Sequence, residues 1–166
     1  MIRAIVAVDE KWGIGKNNGL LFRLREDMKF FRETTLGSTV CMGYNTLLSF
    51  PNGKPLPKRN NVVICPADVT RDDVVCVHSM EEMLSLIRAA AGDVYVIGGA
   101  TFYRSMLPYC EEVLVTKVAA DGGAELFFDN LDENPNFICS RMSLPINDSG
   151  YKIVFTVYRN INPIKP

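Results

Sequence analysis

Short, almost wholly apolar runs recur along this chain, with helix-like stretches between several of them. IRAIVAV (2–8), STVCM (38–42), NVVIC (61–65), DVVCV (73–77), DVYVI (93–97) and EVLVTKV (112–118) are too short for buried helices. A strand that is apolar at successive positions is covered on both faces, as in a parallel sheet with helices above and below. The intervening helices fit that arrangement. LLFRLREDMKFF (20–31) and YNTLLSF (44–50) have helical spacing. In SMEEMLSLIRAAAG (79–92), Ser79 and Glu82 form a capping box, Met83, Leu84 and Ile87 face a core, and Gly92 is placed to end the helix. ATFYRSMLP (100–108) opens after a double glycine and stops at proline. The pattern predicts an α/β fold with a mostly parallel central sheet flanked by helices. Phe137–Met142 and Tyr151–Tyr158 are extended, and SLPINDSG between them reads as a hairpin loop, so an antiparallel hairpin is expected at one edge. One domain over 1–166 is expected from the length.

Composition removes several functions. The net charge of −1 leaves no basic footprint for nucleic acid. No apolar run approaches the ~20 residues of a membrane span, and MIRAIVAVDE reads as a first strand instead of a targeting peptide. The five cysteines are odd in number and widely spaced, which suits free thiols in a reducing, cytoplasmic setting. There is no CxxC, and His78 is the only histidine, so neither a Cys/His metal site nor a nucleophilic triad is expected.

The chemistry concentrates at a few positions. Asp27 falls on the apolar stripe of Leu24, Met28 and Phe31. A carboxylate there must be paired, neutralised or in use, unless it is only a first-turn acid opposing the helix dipole. The loop DEKWGIGKNNG (9–19), polar and glycine-rich, suits a mobile flap. Gly98-Gly99 and Gly43 each join a buried strand to a helix, where an open α/β sheet takes phosphates. Neither junction is GxGxxG. Arg59 follows a proline-stiffened loop and is suited to a carboxylate; Phe31 is placed to wall an aromatic ligand.

In this order, IVAV (5–8), GIGKNN (13–18), the Asp27 helix, VCMGYNT (40–46), SFPNGKPLPKRNNVV (49–63), VYVIGGATFY (94–103), VLVTKV (113–118), ELFF (125–128) and FTVYR (155–159) resemble dihydrofolate reductase across essentially the whole chain. The resemblance implies hydride transfer from NADPH to dihydrofolate by a monomeric enzyme that also binds antifolates. It implies that Asp27 holds the pterin, that Thr116 hydrogen-bonds Asp27, and that Phe22 stands beside the reacting ring. Ile5, Met28, Phe31, Phe50 and Leu56 would line the folate pocket, with Arg59 and Lys54 at the glutamate. Ala7, Ile14, Ile97 and Tyr103 would surround the nicotinamide. Gly43, Thr46, Gly99, Ala100 and Thr101 would hold the pyrophosphate, with Gly15, Tyr44, Cys65, His78 and Gly98 as further cofactor contacts. Glu125 would brace the lid near Gly15.

Departures from the family pattern concern two places. Phe22 replaces the usual tryptophan and lacks its N–H. Tyr44, Cys65-Pro66 and Thr101 stand where the usual partners of the 2′-phosphate are found, leaving His78, Arg71 or Lys58 to compensate, so a weaker preference for NADPH over NADH is expected. Two other functions compete: an NADPH-dependent reductase of riboflavin synthesis, and a folate- or nucleotide-binding protein without turnover.

Overall fold

The computed structural model describes residues 1–17 and 19–166. In chain order the elements are β1 (Ile2–Val8), β2 (Gly13–Lys16), β3 (Gly19–Leu20), α1 (Arg25–Thr35), β4 (Thr39–Gly43), α2 (Tyr44–Ser49), β5 (Asn60–Ile64), β6 (Val75–Val77), α3 (Met80–Ala89), β7 (Val94–Val96), α4 (Ala100–Met106), β8 (Glu112–Val118), β9 (Leu126–Phe127), β10 (Phe137–Met142), β11 (Ile146–Asp148) and β12 (Tyr151–Asn160). The main sheet runs β10-β12-β8-β1-β7-β4-β5-β6, with β11 beside β12. From β8 to β6 every pairing is parallel; β12 is antiparallel to β8, β10 and β11.

Alternation along β1 gives the sheet two differently used faces. Ala4, Val6 and Val8 point into the larger core with Trp12, Phe102, Tyr103, Met106, Val113 and Val115. Ile5 points the other way, into a second cluster with Val40, Met42, Val63 and Tyr95. Phe30, Phe31, Phe50, Leu56, Ile97 and Leu114 pack there only partly buried. β1 and β8 are in register, with Ile5 opposite Leu114 and Ala7 opposite Thr116. Alternate residues therefore bring Ile5, Ala7, Leu114 and Thr116 to the face that α1 covers.

Several expectations change. The 9–19 segment is not simply a flap: β2 pairs with β3 and with the distant β9 to form a separate three-stranded sheet. Strands this short show no periodicity to read. Asn18 lies outside the described residues. SLPINDSG is not all loop, because Ile146–Asp148 pairs with β12 and the turn narrows to Ser149-Gly150. The outer edge is β10, while β12 lies inside the sheet. The third helix ends at Ala89, short of Gly92. Ser79 does accept the N–H of Glu82, but the Glu82 carboxylate takes the N–H of His78 in place of that of Ser79.

Candidate active site

The site starts from α1. Its stripe does not stay together as helical spacing suggested. Leu24 packs with Val118 and Ile153, Phe31 packs with the Ile5 cluster, and Met28 is 50% exposed. Asp27 lies between the two clusters, turned toward β8. There the hydroxyl of Thr116, a side chain 2% exposed, donates to Asp27 Oδ1 at 2.6 Å. Burial raises the Asp27 pKa above its ordinary value, the Thr116 hydrogen bond pulls it back, and Asp148 nearby raises it again. Burial therefore opposes ionisation of this carboxyl, and the Thr116 hydroxyl favours it.

The other end of α1 carries the opposite charge. Arg59 donates through Nη1 to Thr35 Oγ1 at 3.1 Å and through Nε to the Pro57 carbonyl at 3.0 Å. Among the described residues it has no carboxylate partner. Burial and the neighbouring Arg32 both depress its pKa, so the pair of guanidinium groups calls for an anion. Asp27 and Thr35 are eight residues apart, about 12 Å along a helix. Between them lies the half-buried apolar wall of Phe31, Phe50 and Leu56. Lys54 is exposed in the loop that leads to Arg59.

At the C-terminal ends of the parallel strands, the two glycine junctions meet. The Gly43 N–H donates to the Gly98 carbonyl at 2.9 Å, and the Gly98–Gly99 peptide is cis. Gly98 has φ +133, and a Cβ there would come within 3.3 Å of Thr46 Oγ1. Side chains would fill this space, and glycine keeps it open for a ligand. α4 starts here with Ala100 and Thr101, whose N–H groups have no partner within the helix. A groove of about 260 Å³ between α3 and β5 is no rival, because its lining, including Thr39, Val62 and Leu86, carries no charged group.

The comparisons with known proteins meet this geometry. The family model described as dihydrofolate reductase matches residues 1–160. The chain belongs to the dihydrofolate reductase family. Dihydrofolate reductase of Bacillus subtilis is 30% identical over 99% of this chain and 98% of its own length. That of Staphylococcus haemolyticus is 33% identical over 96% of both chains. A solved dihydrofolate reductase from Enterococcus faecalis, complexed with NADP(H) and RAB-propyl, superposes with a TM-score of 0.85 at 28% identity, covering 96% of each chain.

Against that family frame, the remaining expected residues fall into three groups. Ile5, Phe31, Phe50, Leu56 and Ile97 share one cluster, with Tyr44 and Cys65 farther along it. Ile14 instead packs on the larger core, and Tyr103 is buried there, its hydroxyl donating to the Ile5 carbonyl at 2.7 Å. Tyr103 is thus a buried prop for β1. Phe22 packs edge-on to Tyr151 at 4.8 Å, and its ring tip closes on Gly122.

The phosphate-side substitutes separate clearly. Lys58 lies before the start of β5, at the end of the strand opposite Pro66, so it cannot compensate there. Arg71 stands beside Tyr44 but is taken up by Asp73, at 2.9 and 2.6 Å, and by the Gly53 carbonyl. His78 is better placed. Its Nδ1 lies 3.3 and 3.2 Å from the Cys65 and Pro66 carbonyls, which only accept, so Nδ1 carries hydrogen and the ring is held at the end of β5.

Two carboxylates were missed from sequence. Asp9, 3% exposed, accepts the N–H groups of Lys11, Gly13 and Gly122. It ties the β1–β2 turn to the segment after β8. Asp148, also 3% exposed, accepts the N–H groups of Glu26 and Asp27. The second partner lies 121 residues away, beyond any local motif. Glu125 ties down the 9–19 segment: its carboxylate accepts the Asn17 N–H, and its own N–H donates to the Gly15 carbonyl.

Proposed function

We propose that the protein reduces 7,8-dihydrofolate to 5,6,7,8-tetrahydrofolate with NADPH, supporting one-carbon metabolism. One observation carries the residue roles: a half-buried carboxyl hydrogen-bonded by Thr116 and an anion-seeking guanidinium at opposite ends of one helix, joined by an aromatic wall. A pterin that offers neighbouring N–H donors, linked through an aromatic ring to a glutamate, matches that sequence of groups. Asp27 accepts the pterin 2-amino and N3 hydrogens, and Thr116 keeps its second oxygen turned into the site. Phe31, Phe50 and Leu56 enclose the ring system and exclude water. Arg59, assisted by Arg32, binds the α-carboxylate.

The glycine junctions fit a dinucleotide. Gly43, Gly98 and Gly99 allow close backbone approach, while Thr46, Ala100 and Thr101 supply donors for the pyrophosphate. When bound, NADPH supplies the hydride that reduces the pterin C6–N5 bond. The chain fixes where that happens: Ile5 and Ala7 form the floor, and the β2–β3 sheet covers it. Asp27, holding the pterin through its 2-amino and N3 hydrogens, favours protonation at N5, the atom that must gain a proton. The free thiols suit a reducing compartment, and no described helix is long and apolar enough to cross a membrane.

The test is NADPH oxidation by purified protein with dihydrofolate as substrate. Turnover is expected. Folate binding without oxidation would favour the binding-protein alternative, and oxidation only with a ribosylaminopyrimidine would favour the riboflavin-pathway reductase. The unpaired Arg59 argues against the latter.

A further inference from the structure

Helix α1 begins without a cap of its own. Leu24 occupies the N-cap and offers no side-chain acceptor. The missing acceptor comes from Asp148, the last residue of β11. Asp148 Oδ2 takes the Glu26 N–H at 2.9 Å and the Asp27 N–H at 3.2 Å. Its Oδ1 accepts the Ser149 hydroxyl at 3.0 Å. Asp27 is therefore held twice: at its backbone by Asp148 and at its carboxyl by Thr116.

We infer that Asp148 is a positioning residue for Asp27, fixing the backbone from which the carboxyl projects and setting the charge it faces. The inference rests on Asp27 being the pterin-binding carboxyl. A carboxylate is favoured at a helix N-terminus, where it meets free N–H groups and the positive end of the dipole. Here the same carboxylate also stands against the ionisation of Asp27, together with burial. The other groups facing Asp27 do not supply that charge. Thr116 from β8 is a neutral donor, Tyr103 from α4 is held neutral by burial, and Glu26 is the exposed neighbour on α1.

The experiment compares Asp148→Asn and Asp148→Ala with the wild type. Asparagine keeps an acceptor for the α1 N–H groups and removes the charge; alanine removes both. Two readouts are taken: kcat against pH with dihydrofolate, and the carboxyl-carbon NMR titration of Asp27 in the free protein. For D148N the Asp27 titration is expected to move to lower pH. Its kcat should match wild type on the acid side and fall about threefold below it on the alkaline side, the order expected for one nearby charge in a partly wet site. D148A should also lose about tenfold in kcat/KM for dihydrofolate, with KM for NADPH unchanged. Superimposable titrations and pH profiles for wild type and D148N, whatever their Tm, would overturn the inference. A wild type inactive on dihydrofolate would defeat the proposed function instead, and the NMR titration would still decide the role of Asp148.

Discussion

Replacing Thr116 by valine isolates the contact on which the site turns. Valine keeps the shape of the side chain and suits a strand, so β8 and its pairings with β1 and β12 should persist. Only the hydroxyl that donates to Asp27 at 2.6 Å is lost. A hydrogen bond to a charged group contributes about 1.5–3 kcal/mol, and the partly buried acceptor gains no water in exchange. Losing that much in the transition state alone lowers kcat/KM by about 10- to 150-fold. The direction of the pH effect is also fixed. The Thr116 bond holds the Asp27 pKa down, so T116V should move the profile to higher pH, opposite to D148N. The assay is steady-state kcat/KM for dihydrofolate between about pH 5 and 9, with KM for NADPH as the control. A kcat/KM within twofold of wild type across that range, with an unmoved profile, would refute the role given to this hydrogen bond.

Asp27→Asn should nearly abolish turnover at neutral pH yet raise stability. The fold favours the neutral form of Asp27, because burial raises its pKa above the ordinary carboxylate value. That contribution is complete below the unfolded value and is lost as pH rises through the folded one. D27N should therefore show a Tm gain near neutrality of roughly 2–4 °C, or about 1 kcal/mol, which vanishes in acid; a Tm loss at neutral pH would contradict this. Arg59→Gln should raise KM for dihydrofolate about 10- to 100-fold and leave a pterin without glutamate unaffected, as measured by comparing the two substrates. With Arg71 paired to Asp73, the kcat/KM ratio of NADPH to NADH should stay below about 10³ (~4 kcal/mol), and Asp73→Asn, by releasing Arg71, should increase it.

The parts of this fold that announce themselves in the sequence are those with local or periodic causes. Continuous apolar runs mark β1, β4, β5 and β8 because both faces of each strand are covered. Ser79 marks the start of α3 because its hydroxyl reaches an N–H only three residues ahead. Asp27 stands out because it interrupts an apolar surface, and the Thr116 contact followed from the family resemblance. What escapes is set by distance along the chain. Asp148 and Asp9 are ordinary loop acids until the fold brings α1, or the segment after β8, to them. The two-residue strands β3 and β9 exist only because β2 lies between them. Met28 is not part of the buried core, because α1 leaves part of its apolar side uncovered.

The interior place of β12 has a consequence for the order in which the site comes into being. A chain emerging N-terminus first presents Asp27 early, the glycine junctions midway and Thr116 later. Asp148 and β12, which lies between β8 and β10, arrive after all of these. Until β12 inserts, β8 has an open edge and α1 has no acceptor at its start. The carboxyl is made first and braced last: a chain interrupted before Tyr151 has most of its sheet and its Thr116, but Asp148, with no β12 to pair with β11, is not yet held at the start of α1.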